Sequence, residues 1–275
     1  MVSLNRVRTF SWLTAVAVAA STLLAATASA TASATASAAP KAAAPPVHAG
    51  FDYQIGGPYS PPSGVRVVTR DHTAAPAAGL YNICYVNAFQ SQPGDEGQWG
   101  DLLLRDANGN VVVDEGWGEA LLDLRTDDKR KRVAAKVNTW IDGCAAKGYQ
   151  AVEPDNYDSF SRSRRLLTTA HAQAYIRLLS ARAHEKGLAI AQKNTPELAG
   201  NRAQNGLDFA VAEECGQYEE CGDYTGSFGD NVIVIEYGRA GLSRACAGWG
   251  SRLSIVQRDV AVSAPGSSTY VRRTC

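Results

Sequence analysis

The stretch from Ala151 to Ser159, AVEPDNYDS, carries the densest acid chemistry in the chain. Period-two alternation puts Glu153 and Asp155 on one face of a strand end, opposite Val152, Pro154 and Asn156. A second acidic exit, Glu213-Glu214, closes the run LDFAVAEEC. Two carboxylates facing each other across a cleft are the equipment for breaking a glycosidic bond. One gives a proton to the leaving oxygen and the other acts as nucleophile or base. The bland alternative is a salt-bridged strand end. Other chemistries have less to work with. His48, His72, His171 and His184 are the only histidines, and none is paired at metal spacing, so a Ser-His-Asp or Cys-His hydrolase is poorly equipped. GGPYSPPSG lacks the spacing of a phosphate loop and a following helix. Asp106, Asn108 and Asn110 stand at calcium-loop spacing, but Val111 occupies the turn-glycine position and Trp117 the position of the bidentate acid. Asn108-Gly109 between apolar runs reads instead as a hairpin turn. No metal and no other cofactor is expected.

Acids do this work only if the fold gathers them. Thr126 caps a helix with Asp127 and Asp128 in its first turn, and Val133, Val137, Trp140, Ile141 and Cys144 form its apolar stripe before Gly148 stops it. The strand AVEPDN follows at once. Thr168 or Thr169 caps a second helix, whose Tyr175, Ile176, Leu179 and Ala183 face inward until Gly187, and the strand LAIAQKN follows. The unit repeats, and helix–strand alternation builds a parallel sheet with right-handed crossovers. Eight or nine strand candidates, depending on whether Leu121 to Leu124 is one, predict a single-domain (β/α)8 TIM barrel. Strand after strand ends in an acid, amide or lysine: Asp71, Asn87, Asp155, Asn194, Glu213, Glu236. A barrel brings those ends into one ring.

The first residues read as an address. Arg6 and Arg8 precede an apolar run, and Ala-Ser-Ala repeats follow, so residues 1–38 are assigned to a secretory signal peptide and its processing region. Residues 39–50, small and proline-rich, are expected to be a disordered leader, and 51–275 the catalytic domain. Loss of Arg6 and Arg8 takes the basic-to-acidic balance from 27 against 27 to 25 against 27. Such a chain has no general attraction for nucleic acid, and no membrane association is expected after cleavage. A secreted, extracellular monomer is the expectation. Six cysteines in an exported chain imply three disulfides. Cys215 with Cys221 and Cys246 with Cys275 would leave Cys84 with Cys144, though spacing alone leaves the pairing open.

FDYQIGG, Arg70-Asp71, ICYVNAFQ, VEPDNYDS, GLAIAQKN, FAVAEECGQYEECGDY and VIEY, in that order, resemble the endo-α-1,4-polygalactosaminidases of glycoside hydrolase family 114. The resemblance implies a barrel, secretion, no metal cofactor and cleavage of α-1,4-linked galactosamine polymers. Its two catalytic acids carry over onto Asp155 and Glu213. Glu213 is preferred to Glu214 because family members often have Gln at the second position and because Phe209 and Val211 share its face. Asp52, Asp71, Tyr85, Lys193, Asn194 and Glu236 match positions that would line the subsites, with Glu153, Asn156 and Tyr237 beside them. A free-amine sugar is cationic near neutral pH, so surplus carboxylates suit it. Proton donation is assigned to Glu213 and the nucleophile or base role to Asp155. Retention and inversion stay open.

Two rivals come from other classes. One is a carbohydrate-binding barrel without catalysis, which needs the tyrosines but not the acid pair. The other is a Schiff-base lyase using Lys193 as nucleophile. Against the second stands a plainer role for Lys193, an ion pair that holds Asp155 or Glu213.

Overall fold

The computed structural model describes residues 42–275, and the assigned signal peptide lies outside them. Three parallel strands come first: β1 (Gly50–Gln54), β2 (Val65–Asp71) and β3 (Tyr81–Asn87). No helix joins them. The first connection holds Pro58, Pro61 and Pro62, which withhold backbone donors and fix φ. After β3 the chain leaves the barrel. Strands β4 (Gln90–Ser91), β5 (Val113–Asp114) and β6 (Glu119–Leu121) form a separate antiparallel sheet in the order β4-β6-β5. The Asn108-Gly109 turn forms as expected, with Asp106 Oδ1 accepting from the backbone N–H groups of Asn108 and Asn110.

Regular units follow. Helix α1 (Asp127–Lys147) is capped by Thr126, whose side chain accepts from Lys129 N, and ends at Gly148 with φ 88°. Such a cap contributes about 1 kcal/mol. Strand β7 (Ala151–Asp155) comes next, then α2 (Ser159–Arg162) and α3 (Thr169–Glu185), which Thr168 and His171 cap reciprocally. The remaining elements are β8 (Ala189–Lys193), α4 (Arg202–Asn205), β9 (Phe209–Glu213), α5 (Cys215–Tyr218), α6 (Cys221–Phe228), β10 (Val232–Glu236), α7 (Arg239–Trp249), β11 (Ser254–Arg258) and β12 (Arg272–Thr274).

Eight parallel strands run in the order β1-β2-β3-β7-β8-β9-β10-β11, with β12 antiparallel on the end. This is the (β/α)8 barrel. Its interior pairs bulky Phe51, Tyr53 and Phe209 with small Ala151, Ala189 and Ala191, so the barrel is filled rather than hollow. Strands β1 and β11 are not neighbours in the hydrogen-bonded order. Side chains span the seam instead: Arg272 Nε lies 3.1 Å from Asp52 Oδ1, and Arg258 Nη1 lies 3.6 Å from the same oxygen.

The disordered leader expected at 39–50 does not hold for residues 42–50. Ala42 and Ala44 pack on the barrel interior, Ala43 O accepts from the Tyr81 hydroxyl, and Ala49 N donates to Ser254 Oγ at 2.9 Å. Small apolar residues with little charge suit a disordered tail by composition, but they also fit the narrow amino end of a barrel. The cysteines pair as Cys84–Cys144, Cys215–Cys221 and Cys246–Cys275. The first, spanning 60 residues, ties β3 to α1 and limits the unfolded chain by on the order of 4 kcal/mol. Among the described residues no helix is long and apolar enough to cross a membrane.

Candidate active site

Side chains alternate along each barrel strand, and one set points into the mouth at the carboxyl ends. Tyr85 on β3, Asp155 on β7, Lys193 on β8, Glu213 on β9 and Tyr237 after β10 belong to that set. They surround the floor of a cleft of about 830 Å³. Beneath that floor stands Lys193, 1% exposed. Its Nζ lies 3.0 Å from Glu153 Oε1, 3.2 Å from Asp155 Oδ1 and 3.5 Å from Glu213 Oε2. The two acids of interest therefore approach through one shared ammonium, which caps the Asp155 Oδ1–Glu213 Oε2 separation at about 6.7 Å.

Each acid is held at both oxygens. Asp155 Oδ2 accepts from the Tyr85 hydroxyl at 2.8 Å and Oδ1 from Asn156 N at 2.7 Å. Glu213 Oε2 accepts from Asn194 Nδ2 at 2.9 Å and Oε1 from the Tyr237 hydroxyl at 2.5 Å. Asn194 Oδ1 returns the bond by accepting from Glu213 N. The backbone turns sharply after both strands: Asn156 has φ 66° and Asn194 φ 51°, a left-handed region that asparagine tolerates. Glu214 adopts φ 58° without that tolerance, a strain of the kind stored beside functional groups. Both acids keep an outlet to the cleft, with Asp155 18% and Glu213 23% exposed.

The electrostatics separate the acids by depth. Burial pushes Asp155 up, yet the Lys193 charge and the hydrogen bonds from Tyr85 and Asn156 outweigh it and hold the carboxyl below its usual range. Glu153, sealed under the floor, is raised by burial and by the charge of Asp155, against the pull of Lys193. Burial pulls the Lys193 ammonium down, but Asp155 and Glu213 hold it well above an ordinary lysine. Enclosed at 1% exposure against three carboxylates, Lys193 fills the ion-pair role and offers a carbonyl no free approach, which argues against the Schiff-base reading.

Of the residues named from sequence, Asp71, Tyr85, Asn156, Asn194 and Tyr237 line the cleft with Asp155 and Glu213. Glu153 and Lys193 lie beneath it, fully buried, and support the floor rather than face solvent. Asp52 is misplaced by the sequence reading. Phe51 and Tyr53 take the inner face of β1, so Asp52 turns outward and is buried against Arg258 and Arg272. Glu236 is misplaced for the same reason: Ile235 and Tyr237 face inward, and Glu236 sits behind the sheet, accepting from Gly216 N at 2.7 Å and pressed against Gly241.

That placement has a measurable consequence. Burial pushes Glu236 up to about 7, against the Gly216 N–H that pulls it down. Its folded pKa then exceeds the unfolded value, so its contribution to stability is present at low pH and falls as pH rises through 7. Relative to Glu236→Gln, the wild type is expected to lose on the order of 2 kcal/mol between roughly pH 5 and pH 8 in urea unfolding. Parallel pH curves for the two proteins would contradict this.

Sequence reasoning missed the wall supplied by the β4–β6 sheet. Glu119 lines the cleft, accepts from Asn156 Nδ2 and Gln92 Nε2, and is raised by burial and by the nearby Asp155 charge. Trp99, Trp117 and Trp140 line it too. No strand-end pattern marks Glu119 or Trp117; the only local signal is the Gly116-Trp117-Gly118 turn.

The sequence matches glycoside-hydrolase family GH114 over residues 31–275. Among curated proteins none matches it. Two solved structures are similar in fold. Aspergillus fumigatus Ega3, in complex with galactosamine, superposes with a TM-score of 0.70 at 21% identity, covering 86% of this chain and 99% of that one. The glycoside hydrolase domain of PelA from Pseudomonas aeruginosa gives 0.51 at 15% identity, covering 80% and 97%. The family match spans all of the described barrel, and with it the chain belongs to glycoside-hydrolase family GH114.

Proposed function

We propose that this enzyme hydrolyses α-1,4-linked galactosamine polymers at internal bonds, with Asp155 as nucleophile and Glu213 as proton donor. One observation carries the substrate class. Asp71, Asp95, Glu119, Asp155, Asp158, Glu197, Glu213, Glu214 and Glu220 all line the cleft, against Arg162 as its sole lysine or arginine among the described residues. Arg162 is already paired with Asp114 and Asp158. The chain as a whole is balanced, so this is charge concentrated in one place. Field lines focused in such a cleft raise the local concentration of a polycation. The galactosamine bound in the Ega3 complex is an amino sugar of that kind.

The division of roles follows from charge and access. Asp155 is the acid kept ionised, as attack on an anomeric carbon requires. Glu213 faces it from the next strand but one and reaches the cleft. Once protonated, it gives that proton to the departing oxygen, then takes one from the water that releases the sugar from Asp155. Both carboxylates are drawn to the one Lys193 ammonium, and the reading takes the retaining course, in which Asp155 forms a covalent intermediate. Proton NMR of the first products should then show the α-anomer before mutarotation; β-anomer first would contradict it.

The substrate assignment is tested by charge. On deacetylated polymer, kcat/KM should fall about tenfold between roughly 0.05 and 0.5 M salt, and acetylated polymer should react more slowly with little salt dependence. Equal rates on both polymers, unmoved by salt, would remove this substrate. The three disulfides support action in an oxidising compartment outside the cytosol. The proposal takes the enzyme to be exported and to work as a monomer.

A further inference from the structure

Four large hydrophobic side chains stand exposed among the described residues: Val47, Trp117, Tyr218 and Val260. Scattered single exposures are ordinary. Here, however, Trp117, Tyr218 and Val260 all line the same cleft. Trp117 is 61% and Tyr218 66% exposed, and among the described residues neither ring is paired with another aromatic.

Both rings ride on braced backbone. The turn that carries Trp117 is closed by Gly118 N donating to Asp114 O at 2.8 Å and Gly116 N donating to Asp114 Oδ1 at 3.0 Å. Arg162 holds the other Asp114 oxygen at 2.6 Å, and Asn156, next to Asp155, donates to Glu119 Oε2 at 3.1 Å. The segment carrying Tyr218 begins directly after Glu213-Glu214. It is tied by the Cys215–Cys221 disulfide, by Tyr218 N donating to Glu214 O, and by Arg244 donating to the carbonyls of Gly216 and Gln217. A ring on a rigid support loses little freedom when a ligand lies on it.

Their positions bracket the acids. The sheet order β3-β7-β8-β9 places Asp155 at the end of β7 and Glu213 at the end of β9. The hairpin bearing Trp117 leaves from β3, on the Asp155 side, and Tyr218 follows β9, on the Glu213 side. Each ring has a cleft carboxylate nearby in the chain, Glu119 for Trp117 and Glu214 for Tyr218. Burial raises Glu214, and the charge of Glu213 adds to it.

We infer that Trp117 with Glu119, and Tyr218 with Glu214, are two sugar subsites on opposite sides of the bond that is cut. A galacto-configured ring turns the hydrogens on carbons 3, 4 and 5 toward one face, which gives an indole or phenol an apolar patch to stack on. The 2-ammonium then falls to the neighbouring carboxylate, and its charge is also attracted to the π face. Holding a sugar on each side of the scission point is what makes a cleft cut inside a chain instead of trimming its end. This inference rests on the galactosamine-polymer reading.

The test uses a galactosamine hexamer labelled at its reducing end, with products sized by mass spectrometry, on wild type, Trp117→Ala, Tyr218→Ala, Trp117→Phe and Tyr218→Phe. Each alanine variant should raise KM about tenfold. The two should move the cleavage position in opposite directions, one lengthening and the other shortening the labelled fragment. The phenylalanine variants should recover most of the affinity. Melting curves matching wild type establish that the exposed substitutions leave the fold intact. If wild type cuts the hexamer and both alanine variants keep its KM and fragment pattern, the subsites are wrong while the proposed function stands. Shifts in the same direction overturn the opposed arrangement. A wild type that neither binds nor cuts the hexamer overturns both readings.

Discussion

Asp155→Asn is expected to lower kcat by about a thousandfold or more on the deacetylated polymer while leaving the fold intact. The substitution removes a carboxylate that its surroundings hold ionised and open to the cleft. Asparagine keeps the shape. Its oxygen can accept from Asn156 N and Lys193, and its amide can face the Tyr85 hydroxyl in place of Oδ2. Binding should therefore survive, and KM should change far less than kcat. A non-catalytic binding barrel makes the opposite demand, namely that no measured property depends on this charge. An Asp155→Asn protein with wild-type turnover, folded by its melting curve, would remove Asp155 from the chemistry.

Lys193→Met should be the most damaging single change to the floor of the site. Among the described residues Lys193 is the only cation in contact with Glu153, Asp155 and Glu213, and it is enclosed with Glu153 away from water. Removing one partner of a buried pair leaves the other charge uncompensated, at about 3–5 kcal/mol. Two effects should then appear together. Urea unfolding should show a stability loss of that order. The acid limb of the pH–rate profile should move upward, because the ammonium that holds the Asp155 pKa down is gone. A double-mutant cycle with Glu153→Gln separates the two. The double variant should regain much of the stability, since the carboxylate left stranded is now neutral. It should not regain activity, since Asp155 and Glu213 still lack their shared cation. Single and double variants of equal stability would mean that Glu153 does not depend on Lys193.

How much of this was legible follows from strand periodicity. Two buried faces blur the inside–outside signal that a half-exposed sheet would give. Period-two alternation puts Glu153 and Asp155 on one face, and Ala151, two residues before Glu153, packs in the barrel interior. Glu213 was placed through Phe209 and Val211 in the same way. Asp52 and Glu236 failed because polarity at a strand end was read as pointing to the cleft. Their neighbours Tyr53 and Tyr237 had the better claim: each is amphipathic and spans from packed wall to polar floor, Tyr53 to Glu153 and Tyr237 to Glu213. Glu236 and Tyr237 are consecutive, so alternation allows only one of them inward. The cleft wall from β4 to β6 shows in the sequence only as the Asn108-Gly109 hairpin and a candidate strand at Leu121, because strands of two and three residues have too little period to read.

The most direct measurement is covalent trapping with a 5-fluoro-α-galactosaminyl fluoride, whose ring fluorine slows both steps while its fluoride leaving group keeps attachment fast. One equivalent of sugar should attach to the enzyme, and peptide mapping should find it as an ester on Asp155, with Glu213→Ala still labelled by this activated donor and Asp155→Asn not labelled. Label on another carboxylate such as Glu119, or β-anomeric first products with no label at all, would contradict the pairing of Asp155 and Glu213 across the cleft.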